Sequence, residues 1–261
     1  MKRRSLFLLI GALVFGVVAF LWLRDRSEGA SSSPIIEALR KSGGALTSSP
    51  QDLPRTAQPI NPALLPTQVR DTNWMTRLTA TDAVMADKSL PEQRRAELVL
   101  DALTQEVSAP ASGRPLAGSY LPLTGLFRLR YVHLLEELGA AAADPARASM
   151  QRESGTRREW ATLALGAAGS RDAVSPLRQL LRSSSQPDVR MGAAYFLGRL
   201  GDRSAIPDLK AALADPATAR VLSDDTGEGG HVLFPVREQA AGALMALGLK
   251  VERTGNTFTA D

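Results

Sequence analysis

The 261-residue chain contains no cysteine, and its two histidines, His133 and His231, are far apart in sequence. Without cysteine the chain cannot form a disulfide framework, a thiolate metal site or a lipid-modified cysteine anchor. Two distant histidines also disfavour a histidine-rich metal site. We therefore expect neither a metal nor a cofactor, and we predict no small-molecule ligand.

Outside the N-terminus the chain also lacks an excess of basic over acidic residues. Lys and Arg number 31 and Asp and Glu number 27, but five of the basic residues and one acid lie within the first 26 residues. From Ser27 onward each sign contributes 26 charges. Proteins that bind nucleic acid carry a basic patch that neutralises phosphates, so we expect no nucleic-acid partner.

The N-terminal segment, residues 1–26, has the composition of a membrane anchor. Ser5 to Leu23 is an uncharged run of 19 residues, which as a helix is about 28 Å long and can cross a hydrocarbon core. A cleaved secretory signal is the alternative, but this run is longer than usual and ends in Leu21-Trp22-Leu23 rather than in small residues. Three basic residues before the run outweigh two after it, which predicts a cytoplasmic N-terminus. We therefore expect a single-pass protein of a bacterial inner membrane, with the remainder periplasmic or otherwise extracytoplasmic.

Residues 27–66 are rich in Pro, Ser and Gly, which predicts a flexible linker with too little apolar surface to fold. Two helical patterns follow, at about 74–86 and 91–106, within a region 67–126 that resembles a divergent N-terminal cap. A solenoid needs such a cap because its end repeat has an apolar face without a neighbour. Residues 109–124 contain several Pro and Gly residues and are predicted to form a loop.

A helical hairpin is predicted from Pro187 to Leu213. Apolar residues recur at the spacing of one helical face, Gly201 ends this first helix, and Pro207 suits the first turn of the second helix. The apolar face of the first helix comprises Ala193, Phe196, Leu197 and Leu200, and that of the second comprises Ile206, Leu209 and Leu213.

The pattern of the first helix occurs four times, each copy having an arginine, four apolar or small positions and a closing glycine. A unit of about 30 residues made of two helices predicts stacked hairpins, because one hairpin cannot bury its own apolar face. We expect an all-α superhelix over 127–249, with an inserted loop at 214–235 and a C-terminal tail at 250–261 that is either extended or disordered. The copies begin at Arg128, Arg158, Arg190 and Arg237 and close at Gly139, Gly169, Gly201 and Gly248.

The run from Asp188 to Leu209, DVRMGAAYFLGRLGDRSAIPDL, is similar to HEAT repeats of the short kind first described in phycobilisome lyases. This resemblance implies an α-α superhelix and, for most members, a binding scaffold. Some members resemble bilin lyases and others an iron-dependent hydroxylase built from His-Glu pairs. The chain has no His-Glu dipeptide, which excludes the hydroxylase. The membrane anchor and the lack of a recognisable catalytic cluster disfavour the lyase.

We therefore expect a membrane-tethered scaffold that binds another protein on the extracytoplasmic side. The alternatives are a lyase-like enzyme on the same fold and a purely structural component of the envelope. Trp160 is either an aromatic anchor for the partner or a residue packed in the groove between repeats. Calcium binding by the inserted loop is disfavoured because the loop lacks the ligand spacing of a calcium hand. The other candidate contacts are Arg178, Arg182 and Lys210 on second helices, and Asp224, Asp225, Glu228 and His231 in the loop.

The four repeat arginines have two interpretations. A row of guanidinium groups is suited to bind carboxylates or phosphates. Each arginine, however, lies at a helix start, where it can donate to carbonyl groups or acids of neighbouring repeats. We therefore predict a structural ladder for Arg128, Arg158, Arg190 and Arg237.

Overall fold

The computed structural model describes residues 62–108, 123–221 and 231–261. Helix is the main secondary structure of these ranges. None of their helices combines the length and the apolar character that a membrane span needs. The predicted anchor at Ser5 to Leu23 and residues 27–61 of the predicted linker lie outside the described residues.

A pair of helices precedes the repeats. A 3-10 turn (Pro62–Leu64) leads into the short helix α1 (Leu65–Gln68), and α2 (Trp74–Ala86) and α3 (Glu92–Ser108) follow. Helix α2 begins at this point because the side chain of Asn73 accepts hydrogen bonds from the first backbone N–H groups of the helix. Both longer helices lie within two residues of their predicted positions.

An ion pair is buried between α2 and α3. Arg77 donates to the carboxylate of Glu106 and to the carbonyl oxygen of Asp71. The Arg77 and Glu106 side chains are 0% and 1% exposed. Tyr131, from the first helix of the repeats, lies against the same guanidinium, and burial raises the pKa of its hydroxyl. These contacts join the N-terminal pair to the repeats.

The repeats alternate first and second helices, as the sequence predicts. Each second helix is preceded by a short 3-10 turn, and α4 begins four residues before the predicted start at Phe127. The first helices are α4 (Leu123–Leu138), α6 (Gly155–Ala167), α8 (Pro187–Leu200) and α10 (Pro235–Ala246), and the second helices are α5 (Ala143–Arg152), α7 (Val174–Ser183) and α9 (Ile206–Ala212).

The closing glycine of each first helix adopts a left-handed conformation. Gly201 follows α8 with φ of 69°, and its N–H donates to the carbonyl oxygen of Gly198. A residue with a Cβ atom rarely adopts this conformation, so glycine allows the chain to leave the helix here. The equivalent Gly139, Gly169 and Gly248 have φ of 54°, 76° and 89°. The predicted register of the four copies is therefore confirmed.

The core lies between successive hairpins. Each second helix packs against the first helix of the next repeat, and the stripe that includes Phe196 and Leu197 is buried. Helices α8 and α10 pack tightly at Gly198, where a Cβ atom would lie only 2.7 Å from the Cα atom of Ala243. The absence of a side chain at this position allows the two helices to pack directly.

Two antiparallel β-hairpins depart from the predicted all-α fold. Strands β1 (Ala219–Val221) and β2 (His231–Leu233) pair within the predicted insertion, and β3 (Val251–Thr254) and β4 (Thr257–Ala260) pair at the C-terminus. The tail is therefore extended, with its turn at Gly255, where φ is 59°. Strands of three or four residues are too short to leave a clear alternating pattern in a sequence.

Candidate functional site

A column of cations follows the second helices of the repeats. Arg147, Arg178 and Lys210 lie 31 and 32 residues apart, at equivalent places on α5, α7 and α9. The first two reach forward to an acid of the next repeat. Arg147 Nη2 lies 2.9 Å from Asp172 Oδ2, and Arg178 Nε lies 2.5 Å from Asp208 Oδ2. We call these three residues the cation column.

Two guanidinium groups clamp the carboxylate of Asp208. Arg182 Nη1 donates to its other oxygen over 3.1 Å. The side chain of Asp208 is 9% exposed, whereas those of Arg178 and Arg182 are 30% and 55% exposed. Two cations therefore surround one anion, and the positive charge lies on the outside.

Lys210 is the last member of the cation column. Its side chain is exposed, and no acid or hydrogen-bond partner of its Nζ atom is found among the described residues. Together with Arg182 and the other members of the cation column it forms what we call the second-helix surface. The structure thus brings the predicted contacts Arg178, Arg182 and Lys210 to one side of the repeats.

The repeat arginines have different surroundings. Arg190 donates to both oxygens of Asp215, over 2.7 and 3.0 Å, and to the carbonyl oxygen of Ser184. Arg237 donates to the backbone carbonyl of the same Asp215 over 2.6 Å. These two arginines hold the end of the third repeat against the start of the fourth.

Burial raises the pKa of the Asp215 carboxyl. The hydrogen bonds from Arg190 and from a backbone N–H, together with the positive charges of Arg190 and Arg237, lower this pKa by more than burial raises it. The net pKa lies below the ordinary value for aspartate. The carboxylate is therefore ionised at neutral pH, and it is held by cations within the fold.

The surroundings of Arg128 and Arg158 differ from those of Arg190 and Arg237. The Arg128 guanidinium lies 5.7 Å from the ring centroid of Trp160, and its Nη1 atom lies 3.5 Å from the Gln186 amide oxygen. Arg158 is exposed. The position that corresponds to Asp215 in its repeat is Ser183, which has no charge to offer.

Trp160 packs in the groove between repeats, which was one of its two interpretations. Its side chain is 1% exposed, and Arg128 covers one side of the ring. A partner would reach this ring only if the repeats separated. Burial of the ring therefore argues against a role as an exposed anchor.

Of the predicted contacts in the insertion, Asp224, Asp225 and Glu228 lie outside the described residues. His231 begins β2, opposite Val221 of β1. In the parts of the chain that are described, no group of three or more His, Asp or Glu residues is arranged to hold a metal ion.

A polar cluster between the first and third repeats escaped the sequence analysis. His133 Nδ1 lies 2.9 Å from one oxygen of Glu136, and Tyr195 donates its hydroxyl to the other oxygen over 3.2 Å. Arg199 approaches the same carboxylate at 3.3 Å, and the rings of His133 and Tyr195 meet edge to face. His133 and Tyr195 occupy equivalent positions two repeats apart, which is the signal that could have paired them.

The Glu136 carboxyl of this cluster is ionised at neutral pH. Burial raises the pKa of Glu136, but the hydrogen bond and charge of His133, the charge of Arg199 and the Tyr195 hydroxyl reverse the shift, so the net pKa is lowered. Burial and the neighbouring carboxylate raise the pKa of Tyr195 to about 12. The carboxylate thus accepts from neutral tyrosine and ties α4 to α8.

Residues 134–224 match the family model for HEAT repeats. The matched segment begins within α4 and extends past β1, and it contains the whole second-helix surface. The chain therefore carries HEAT repeats, which commonly mediate protein–protein interaction and scaffolding. No curated protein matches the chain.

Proposed function

We propose that the chain is a scaffold that binds another protein through its second-helix surface. The observation that carries the proposal is the arrangement of Arg178 and Arg182 around Asp208, which leaves two guanidinium groups against one carboxylate. The clamp fixes both side chains before a partner arrives, so less rotamer entropy is lost on binding. An arginine fork is suited to carboxylates of a partner.

The proposed scaffold is tethered to a membrane. The support comes from the sequence, since the uncharged run from Ser5 to Leu23 is long enough to span a bilayer. The Pro-, Ser- and Gly-rich residues that follow act as a tether, and the excess of basic residues before the run orients the repeats to the extracytoplasmic side. We place the protein in a bacterial inner membrane.

The repeats are of the phycobilisome-lyase-like short type, a proposal that rests on the run from Asp188 to Leu209. The role that we propose is binding, and it includes no reaction. Arg190 serves the fold in this proposal, because it donates to both oxygens of the Asp215 carboxylate.

The test is crosslinking of the full-length chain in its native membrane, followed by identification of the captured protein. The variant is Arg182→Gln combined with Lys210→Gln, which removes two exposed charges without placing an acid beside Asp208. We expect the yield of the captured protein to fall several-fold and the remaining capture to depend less on salt.

The matched control is Lys88→Gln, an exposed cation after α2 whose only described bond is to the carbonyl oxygen of Met85. It removes a charge far in sequence from the second-helix surface and should leave the yield unchanged. Equal capture by all three proteins would refute a role for the second-helix surface.

A further inference from the structure

A cleft adjoins the second-helix surface at Lys210, between α9, α10 and the C-terminal hairpin. Its volume is about 390 Å³. Two cations line it, together with a small apolar floor and one whole strand. The lining residues are Lys210, Leu213, Ala214, Arg237 and the four residues of β4, Thr257–Ala260.

The cleft runs along the edge of β4. Successive side chains of a strand point to opposite faces, so four consecutive residues cannot all line a cleft from one face. The sheet has two strands, and β3 pairs with one edge of β4. The other edge is therefore the one that meets the cleft.

The register identifies the backbone groups on this edge. Asp261 donates its N–H to the carbonyl oxygen of Lys250, so these two residues form a hydrogen-bonded pair. Such pairs alternate in an antiparallel ladder, which places Thr259 and Thr257 in the next two. The N–H and C=O groups of Phe258 and Ala260 consequently point away from β3, toward the cleft.

Nothing in the sequence of β4 protects this edge. Exposed edge strands are commonly blunted by charged residues or proline, which discourage pairing with another chain. Thr257–Ala260 contains neither, whereas β3 carries Glu252 and Arg253. An extended peptide can therefore add to β4 as a third strand.

The opposite wall supplies positive charge. Lys210 has no acid partner among the described residues, where the acceptors of Arg237 are carbonyl oxygens, those of Asp215 and Asn256. The carboxylate of Asp215 is held by Arg190, and that of Asp208 by Arg178 and Arg182. Glu238 of α10 faces Arg253 at 3.9 Å, so each of these three acids lies beside an arginine and an incoming carboxylate finds two cations.

We infer that this cleft binds an extended acidic segment of a partner protein, which adds to β4 as a strand and places carboxylates against Lys210 and Arg237. The inference rests on the proposed function, that the chain binds a protein, and it names the chemical class of the contact. Arg147 and Arg178 of the cation column each pair with an acid of the next repeat. For Lys210, the acidic segment of the partner supplies the equivalent carboxylate.

The test measures binding of a fluorescent peptide of alternating valine and glutamate to the full-length chain in detergent. Comparison peptides replace glutamate by lysine or carry N-methyl groups on the backbone. The key variant is Ala260→Pro, which removes an N–H that points to the cleft and leaves the ladder to β3 intact. Ala260→Ser is the matched control because it keeps the N–H.

We expect the acidic peptide to bind, and Ala260→Pro to weaken it about tenfold through the lost backbone bond. Lys210→Gln should weaken binding by a similar factor at low salt, whereas Ala260→Ser should not. The lysine peptide and the N-methylated peptide should not bind. Circular dichroism confirms that each variant keeps its helical content.

Unchanged binding to Ala260→Pro would overturn strand addition. A dimer that Ala260→Pro converts to a monomer would show that the edge pairs with a second copy, and it would overturn the acidic segment as occupant. Failure of the acidic peptide to bind, while the crosslinking partner is still captured, would overturn the cleft and leave the proposed function intact. Peptide binding without any captured protein would instead refute the proposed function.

Discussion

Two carboxylates of similar burial are paired with arginine in different surroundings. Glu106, in the N-terminal helix pair, faces Arg77, whose side chain is 0% exposed. Asp208, in the third repeat, faces Arg178 and Arg182, whose side chains are 30% and 55% exposed. Water reaches the cations of the second site and not that of the first.

The difference separates structure from recognition. A fully buried pair has lost the hydration of both ions, so removing one partner leaves an expensive charge behind. A clamp with exposed cations has lost little hydration and contributes little to folding. Its arginines can bind a second carboxylate without first losing the one they hold, which is what a protein-binding surface needs.

The largest expected effect is at Arg77. Arg77→Ala removes the guanidinium that faces Glu106 and should lower the free energy of unfolding by about 3–5 kcal/mol. Urea denaturation measures this loss. Arg94→Ala is the control in the same helix pair, because Arg94 and Glu97 are 46% and 42% exposed, and it should cost less than about 1 kcal/mol. Equal losses in the two variants would remove the distinction between buried and exposed pairs.

Gly198 offers a test of buried packing in which no charge is changed. A Cβ atom there would meet the Cα and Cβ atoms of Ala243 at 2.7 Å, and the backbone of α10 cannot move aside cheaply. Gly198→Ala should therefore destabilise the protein by about 1–3 kcal/mol.

Gly242, in α10, is the matched position because no atom lies within 4 Å of the Cβ that it would carry. Gly242→Ala should be neutral or stabilising by up to about 1 kcal/mol, since alanine favours helix. Thermal unfolding should move the two variants in opposite directions. A stabilised Gly198→Ala variant would show that α8 and α10 pack less closely than described.

The repeats were predictable because their signals are local. The 3.6-residue periodicity and the closing glycines such as Gly201 depend on residues within one or two turns of each other. Strands β1 and β2 were missed because they have only three residues each. A pattern that short does not distinguish a strand from a loop.

The partners of individual charges were harder to predict. Arg77 and Glu106 are 29 residues apart in the sequence. Their residue types do not distinguish this buried ion pair from the exposed arginine–carboxylate pairs of the same chain. His133 and Tyr195 are brought together only because α4 and α8, the first helices of alternate repeats, contact each other. Trp160 left two interpretations open, because burial depends on the neighbouring repeat rather than on the residue.

Asp215 is an intermediate case, and it responds to pH. Its side chain and that of Arg190 are 9% and 13% exposed. The folded-state pKa of Asp215 is lowered, so its contribution to stability is present above the ordinary aspartate pKa and is lost as the pH falls through the folded value.

Asp215→Asn lacks this contribution at every pH. The variant should be less stable than the parent chain at pH 7, and the difference should shrink between about pH 5 and pH 3. Urea denaturation across this range measures it. Burial raises the pKa values of Asp82 and Asp188, so their contributions to stability change with pH in the opposite direction. These contributions are the same in the variant and in the parent chain, so they cancel in the difference between the two. A difference that stays constant with pH would exclude an ionised, cation-held Asp215 as its source.

The smallest expected effect on stability is at Arg182. Its side chain is 55% exposed and Asp208 keeps Arg178, so Arg182→Gln should change the free energy of unfolding by less than about 1 kcal/mol. Arg178→Gln should cost more, because Arg178 is the more buried and contacts both Asp208 and Ser204. Urea denaturation ranks the two variants, and capture of the crosslinked protein is measured on the same samples. A variant that keeps its stability and loses capture assigns Arg182 to recognition. If capture falls only in proportion to stability, the clamp around Asp208 belongs with Arg77 and Glu106, as a structural pair that water happens to reach.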